Sequence, residues 1–340
     1  MVLIISDNQD SSTNEVLKWL DYYNIKWIRI NEDDDIKFHA LEYLHNKIEK
    51  FIIESNNRFI DLVDIDAYWY RRGWLNTGIQ QSPVRVSENP KINFEINGYL
   101  EREFENLKFF IHSYLVDEKI SINSFLTRTN NKTYYQFVAS SVGINVPDTA
   151  IVTEKDKVAG FFQRSGRNAI TKSINEGFSF RVNSGIYYSS NYSLSEKDIN
   201  ESGESFFPTL FQRYTEKFVE LRIFYLNKKT YTMAIFSQAN EKTKLDFRRY
   251  DYNCPNRKVP FKLPVEVESK IIKMMSRIGL NCGSIDMILT PENEFVFLEV
   301  NPVGQFGMVS YPCNYNLESI IAKNLYNGEQ DLSNKKFFNK

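Results

Sequence analysis

One stretch near the end of the chain carries residue types that hold hard cations. Gly283-Ser284-Ile285-Asp286 opens an alternating run that closes on Leu298-Glu299-Val300-Asn301, with Pro291–Glu294 between the two halves. If residues 291–294 form a hairpin loop, Asp286 lies opposite Glu299, and Asn301, two residues on, shares that face. The other face would then hold Ile285, Met287, Leu289, Val296, Leu298 and Val300, all apolar. One side packs, and the other presents two carboxylates and an amide. Oxygen donors of this kind suit magnesium, which keeps some waters and takes nucleotide phosphates in the rest of its sphere. The plain alternative is a solvated strand face with acids on it by chance.

Two lysines come next. Lys132 stands at the start of a helical segment. Lys172 sits in the apolar run Ala169–Ile174, flanked on its alternating face by Ile170 and Ile174. A lysine so placed points inward and needs an anion, and phosphate would serve. The segment Gly166–Ser173 is not a phosphate loop, because Thr171 stands where that loop needs a glycine before the lysine. A third cluster is Gln212-Arg213-Tyr214, a break, then Lys217-Phe218-Val219-Glu220-Leu221-Arg222. A break between strands exposes backbone groups that can read an adenine edge, and Glu220 and Arg222 alternate onto one face. The plain alternative is a surface ion-pair strand. Arg71-Arg72 and Arg248-Arg249 are basic pairs, and arginine suits bidentate contacts to phosphate or carboxylate. The chain's three histidines, His39, His45 and His112, all lie in its first third, which disfavours a histidine-based triad.

These residues need elements to position them. Val2–Ser6 reads as a strand. Ser12-Thr13-Asn14-Glu15 matches a capping box ahead of Val16, Leu20 and Tyr23 at helical spacing, and Lys26–Ile30 is a second strand. Strand, helix, strand in thirty residues predicts a parallel sheet, and no GxGxxG between them suggests a dinucleotide. Helices are expected over 101–119, over 131–142 with Gly143 as a left-handed cap, within 262–280, and over 315–327. Strands are expected at 169–174, 284–290 and 295–301, with strand, break, long strand and hairpin over 210–237. Residues 175–192 are polar and read as a mobile hairpin or loop. The order divides the chain into three α/β lobes, 1–120, 121–205 and 206–328, with a polar tail over 329–340.

Apolar residues make up 42% and charged residues 25%, the balance of a globular protein, not of a disordered chain, a collagen or a coiled coil. The net charge is −1, so no global positive field exists to hold nucleic acid. Cys254, Cys282 and Cys313 are scattered without a CxxC, which supports neither a zinc cage nor a disulfide framework and fits a reducing compartment. No stretch nears the ~20 apolar residues of a membrane helix, and the start lacks a signal peptide's pattern, so a cytoplasmic location is expected.

Taken in order, these segments resemble the ATP-grasp fold. More narrowly, the chain is similar to the ATP-grasp ligases that make graspetides, the microviridin-type enzymes and especially the grasp-with-spasm peptide maturases. The stretches that carry the resemblance are Leu3–Ser6 with Ser12–Val16, Trp69-Tyr70-Arg71-Arg72-Gly73, Asn131-Lys132 with Gln136, and Gln212–Tyr214 with Glu220–Arg222. To these are added Asp246-Phe247-Arg248, Gly283–Asp286, Leu298–Phe306 and Tyr311–Tyr315. The resemblance implies an α/β fold with an N-terminal pre-ATP-grasp domain, a central lobe and a C-terminal ATP-grasp lobe. It implies ATP and magnesium as cofactors. Lys132 and Lys172 would contact phosphates, with Lys172 also near adenine. Gln212, Arg213 and Tyr214 would hold adenine, largely by backbone, and Glu220 the ribose hydroxyls. Asp286, Glu299 and Asn301 would hold magnesium, Arg222 and Arg248 would sit near the transferred phosphoryl group, and the 175–192 loop would cover the phosphates. Arg213 departs from the pattern, since related ligases often have an acid there.

The activity implied is a peptide macrocyclase. ATP would turn Asp or Glu side chains of a ribosomal precursor into acyl phosphates, and Thr, Ser or Lys side chains of the same peptide would close ester or amide rings. The implied partners are the precursor's leader and core and, by likeness to relatives, a second copy of the chain, with no nucleic acid and no membrane. The alternatives are an ATP-grasp carboxylate–amine ligase acting on free amino acids or a protein tail, and a binding module that kept only the fold. A DNA or RNA ligase lacks both a basic surface and a nucleophilic-lysine motif.

Overall fold

The structure, a computed structural model, describes residues 1–76, 83–175, 177, 179–182, 185–188, 191–238, 253 and 255–326. Arg248, Arg249, Cys254 and the 329–340 tail lie outside the described residues. Internal contacts divide the chain into two compact units, Met1–Arg128 together with the segment from Asn316, and Thr129–Tyr315.

The first unit opens with β1 (Val2–Ser6), α1 (Ser11–Tyr22) and β2 (Trp27–Asn31). β1 pairs in parallel with β2, as the alternation predicted. The helix begins two residues earlier than the capping-box reading placed it. Its cap is Asp10, whose carboxylate accepts from the Ser12 amide at 3.1 Å and from Thr13 Oγ1 at 3.1 Å. Asp10 is held in place by buried Arg71, whose Nε donates to it at 2.7 Å. Burial alone would raise the Asp10 pKa, but Arg71, Arg72 and its hydrogen bonds hold it below the usual carboxylate value.

Next come β3 (Ile36–Leu44), β4 (Lys47–Ser55) and β5 (Arg58–Asp61), an antiparallel meander. Its two-residue turns, His45-Asn46 and Asn56-Asn57, have positive φ at both positions, the backbone that matches strand twist. β6 (Ala67–Tyr70) and β7 (Ile120–Ile122) complete a sheet of order β2-β1-β6-β7. Between them runs α2 (Pro90–Glu118), longer than the 101–119 expected, with Pro90 in its first turn. His112 of α2 is fully buried. Its Nδ1 lies 2.8 Å from the Tyr68 hydroxyl and its ring stacks on Phe125 at 4.3 Å, while Nε2 has no hydrogen-bond partner among the described residues.

The second unit begins with α3 (Lys132–Ser141), capped by the Asn131 side chain and followed by Gly143 at φ +79°. β8 (Thr149–Glu154), α4 (Lys155–Arg164), β9 (Ala169–Lys172), β10 (Ser179–Val182), β11 (Gly185–Tyr188), β12 (Tyr192–Ser193), α5 (Glu196–Glu201) and β13 (Ser205–Arg213) follow. Sheet β12-β9-β13-β8 packs on α4 and α5 around Phe161, Phe162, Ile199 and Phe211. β10 and β11 form the hairpin expected in 175–192.

A five-stranded antiparallel sheet, β16-β15-β14-β17-β18, completes this unit. Its members are β14 (Val219–Leu226), β15 (Lys229–Phe236), β16 (Arg257–Phe261), β17 (Cys282–Leu289) and β18 (Phe295–Asn301). One face packs on α3 and on α6 (Val265–Arg277), around Leu221, Ile223, Ile285, Met287, Phe297, Ile271 and Met275. Burying each such side chain contributes roughly 1.5–3 kcal/mol, which fixes which face of the sheet is left for chemistry. α7 (Gly307–Cys313) follows.

The last helix, α8 (Leu317–Tyr326), was expected in the third lobe but belongs to the first unit. It packs on α1 and β6, and Tyr23 Oη lies 2.8 Å from Ser319 Oγ. Cys282 and Cys313 are buried and form no disulfide among the described residues. No helix among the described residues is long and apolar enough to cross a membrane.

Candidate functional site

The other face of the five-stranded sheet, which α7 covers in part with Phe224 buried against Phe306, carries a row of charge. Register pairs Arg222 of β14 with Asp286 of β17, and Asp286 with Glu299 of β18. The hairpin thus aligns the two carboxylates as the sequence predicted. Lys132, at the first turn of α3, reaches Glu299 at 3.4 Å. The Arg222 guanidinium grips both oxygens of Asp286. Two anions therefore sit between two cations, drawn from three strands and one helix.

β18 departs from simple alternation. A bulge falls between the pairs Asp286–Glu299 and Met287–Phe297, which makes Leu298 the extra residue. Phe297 and Val300 enter the core, whereas Leu298 joins Glu299 at the cleft. The expected apolar set Val296, Leu298 and Val300 is corrected accordingly. Asn301 pairs with Ser284, one step beyond the charged row, and does not line the cleft. Its Oδ1 accepts from the amides of Val303 and Gly304 at 3.1 and 3.2 Å. Gly304 has φ +31°, and a Cβ there would meet the Ser284 amide nitrogen at 2.6 Å.

The row lines a solvent-open cleft of the second unit. Lys172, half-buried at the end of β9, lines it with Ile170, as do Arg213, Tyr214 and Thr215 of the hinge. Gln212 is buried, and its side-chain amide donates to Thr149 Oγ1 at 3.0 Å. The amides of Arg213 and Tyr214 donate to the carbonyls of Asp148 and Asn168 at 2.8 and 2.9 Å. Those two donors, expected to face a base, are spent on neighbouring backbone. The exposed Arg213 side chain lies 3.7 Å from Asp148.

Glu220 lines the same cleft from β14, one alternation before Arg222. Its Oε1 accepts from Lys217 Nζ at 2.9 Å and from Ser237 Oγ at 2.6 Å. Burial raises the Glu220 pKa, with Asp286 adding to it, against the pull of Lys217 and of the two hydrogen bonds. Burial also raises the Tyr214 phenol, with Glu220 contributing. The sequence reading missed Lys217, which is only 6% exposed, and Ser237, which is fully buried. The one signal was a lysine three residues before Glu220 inside a strand break, and its burial depends on the far end of β15.

The structure thus brings Lys132, Lys172, Gln212, Arg213, Tyr214, Glu220, Arg222, Asp286 and Glu299 to one cleft of the second unit. Arg248 lies outside the described residues. Among the described residues no three Asp, Glu, His or Cys side chains converge as a metal cluster. The donors at hand are hard carboxylate oxygens whose charge Lys132 and Arg222 balance, a set that fits a divalent cation arriving with a polyphosphate.

Residues 1–87 match the family described as the MvdD pre-ATP-grasp domain. No curated protein sequence matches the chain. Among solved structures, the macrocyclase MdnC from Microcystis aeruginosa MRC, bound with its precursor peptide MdnA, is 24% identical with a TM-score of 0.74. It covers 96% of this chain and 100% of its own. A RiPP-associated ATP-grasp ligase from Chryseobacterium gregarium, in complex with ADP and a leader and core peptide, is 23% identical with a TM-score of 0.77, over 95% of this chain and 94% of that one. The ATP-grasp ligase PsnB, complexed with minimal precursor, Mg and ADP, is 13% identical with a TM-score of 0.71, over 96% of both chains. The chain therefore has the α/β ATP-grasp fold with an N-terminal pre-ATP-grasp domain.

Proposed function

We propose that the protein is an ATP-dependent macrocyclase of the graspetide type, acting on side-chain carboxylates of a ribosomal precursor peptide. The observation that carries this reading is the row Arg222–Asp286–Glu299–Lys132 lining the cleft of an ATP-grasp sheet. It is a cation-and-phosphate site in a chain that is similar, from end to end, to enzymes described with precursor peptides. The similarity to D-alanyl-alanine synthetase A from Vibrio cholerae is weaker, with a TM-score of 0.52, so ligation of free amino acids is the second reading.

Asp286 and Glu299 would hold magnesium, with Asn301 at the edge of the site, and the metal would supply charge neutralisation to the phosphates. Lys132 and Lys172 then take phosphate oxygens. Arg222, released from Asp286, faces the transferring phosphoryl group, a role also assigned to Arg248. Glu220 takes the ribose hydroxyls. Gln212, Arg213 and Tyr214 form the wall against adenine. Because the amides of Arg213 and Tyr214 are engaged, the hinge carbonyls and the segment from Thr215 read the base edge.

A carboxylate is a poor electrophile, since its leaving group would be oxide. Attack of a peptide carboxylate oxygen on the γ-phosphorus breaks the bond to ADP and forms an acyl phosphate. A hydroxyl or amine of the same peptide then attacks the acyl carbon and loses its proton, and phosphate departs. Fixed cations at the transferring group lower the barrier because they need not reorganise. Holding both reacting groups on one bound peptide makes ring closure effectively unimolecular. A leader docked elsewhere on the ligase would raise the core's local concentration, and a homodimer and a cytoplasmic setting accord with this reading.

The test is direct. The protein, ATP, magnesium and the short peptide encoded beside it are incubated and followed by mass spectrometry. The expected product lacks one water per ring. Consumption of ATP with free amino acids, and an unchanged peptide mass, would favour the second reading instead.

A further inference from the structure

Lys217 is a buried cation that none of the roles above uses. It lies in the hinge after β13, not on a strand of the sheet. Its ammonium group and the Ser237 hydroxyl, from the end of β15, both bind Oε1 of Glu220, at 2.9 and 2.6 Å. Oε2 of Glu220 has no hydrogen-bond partner among the described residues, and Glu220 lines the cleft. One oxygen is thus clamped from two directions and the other is left to accept from a donor in the cleft.

We infer that Lys217, seconded by Ser237, is a positioning residue that aims Glu220 Oε2 at the vicinal hydroxyls of the bound nucleotide's sugar and so sets discrimination between ribose and deoxyribose. The inference rests on the ATP reading of the cleft. Its physical basis is geometric: two donors from different elements fix Oε1, and the ammonium of Lys217 lies against a buried carboxylate. Without Lys217, Oε1 keeps a single donor, the Ser237 hydroxyl, and the carboxyl is free to rotate. A charge-assisted hydrogen bond gains strength from fixed geometry, and that gain disappears with the anchor.

The experiment is calorimetric titration of the full chain, with magnesium, against ATP, 2′,3′-dideoxy-ATP and inorganic triphosphate. The wild type is expected to bind ATP roughly 10- to 100-fold more tightly than the dideoxy analogue, as for loss of hydrogen bonds to a charged group. In Lys217→Met this ratio falls to about threefold or less while triphosphate affinity is kept, and Lys217→Arg restores most of it. A merely structural lysine would move all three ligands together. Ser237→Ala removes one of the two anchors without stranding a charge and is expected to lower the ratio part way, which serves should Lys217→Met not fold. An unchanged ratio in both variants, or a wild type indifferent to the sugar hydroxyls, overturns the inference while leaving ATP binding intact. A wild type that binds no ATP overturns the nucleotide reading itself.

Discussion

His112 gives the first unit a stability that depends on pH, and the size of the effect follows from its surroundings. Burial holds its pKa down to about 3, with Arg128 and Lys108 adding to the effect, against an ordinary 6.5. In the unfolded chain the imidazole gains its proton as the pH falls through 6.5; in the folded chain it does so only near 3. Between those values the unfolded state holds more protons, so this stability is complete above about pH 6.5 and is lost as the pH falls toward 3. At pH 5, roughly one and a half pH units below the unfolded value at 1.36 kcal/mol each, the loss is about 2 kcal/mol. That figure is set by the unfolded pKa and holds for any folded value below about 4. The assay is available in the sequence: all four tryptophans, Trp19, Trp27, Trp69 and Trp74, belong to the first unit, so indole fluorescence in urea reports on it alone. His112→Asn keeps a polar atom toward Tyr68 and cannot be protonated. Between pH 7 and 5 the wild type is expected to lose about 2 kcal/mol more than the variant. Equal losses in the two proteins would refute the reasoning.

Asp286→Asn removes one of the two carboxylates of the charged row and the partner of Arg222; peptide modification, followed by mass spectrometry, is expected to fall by roughly 100-fold with the circular dichroism unchanged. Lys132→Met frees Glu299 of its neutralising cation, so Mn²⁺ titrated into nucleotide-free protein should bind about two- to fivefold more tightly by electron paramagnetic resonance, while ATP binds less tightly. Gly304→Ala drives a Cβ against the Ser284 backbone at a positive φ; urea unfolding followed by circular dichroism should show a loss of about 1–3 kcal/mol.

Much of the site was legible because its pieces are local. A four-residue loop between two alternating runs is enough to place Asp286 against Glu299, and a strand-helix-strand opening is enough to set a parallel sheet. What depended on distant partners was not legible. Arg222 meets Asp286 across a separation of 64 residues, a pairing that only the order of the five strands determines. The bulge that moves Leu298 into the cleft arises where a period-two pattern meets a core that demands Phe297. Lys217 looks like any surface lysine until Glu220 and the end of β15 close over it. In the meander of residues 36–61, exposed lysines and glutamates obscured the alternation, although the Asn56-Asn57 pair was a turn signal in plain view. The cap of α1 moved to Asp10 because Arg71, 61 residues away, favours a carboxylate there.

Helix α8 joins the first unit only after the chain has passed through the whole of the second. During synthesis the nascent sheet β2-β1-β6-β7 therefore emerges from the ribosome roughly 190 residues ahead of the helix that covers α1 and β6. At ordinary elongation rates this leaves its apolar flank uncovered for about 10–40 s. Leu317, Ile321, Ala322 and Leu325 close that flank last. A premature stop ahead of Leu317 would release a chain whose ligand cleft is entirely translated but whose opening domain stays unlidded, open to chaperones and proteases.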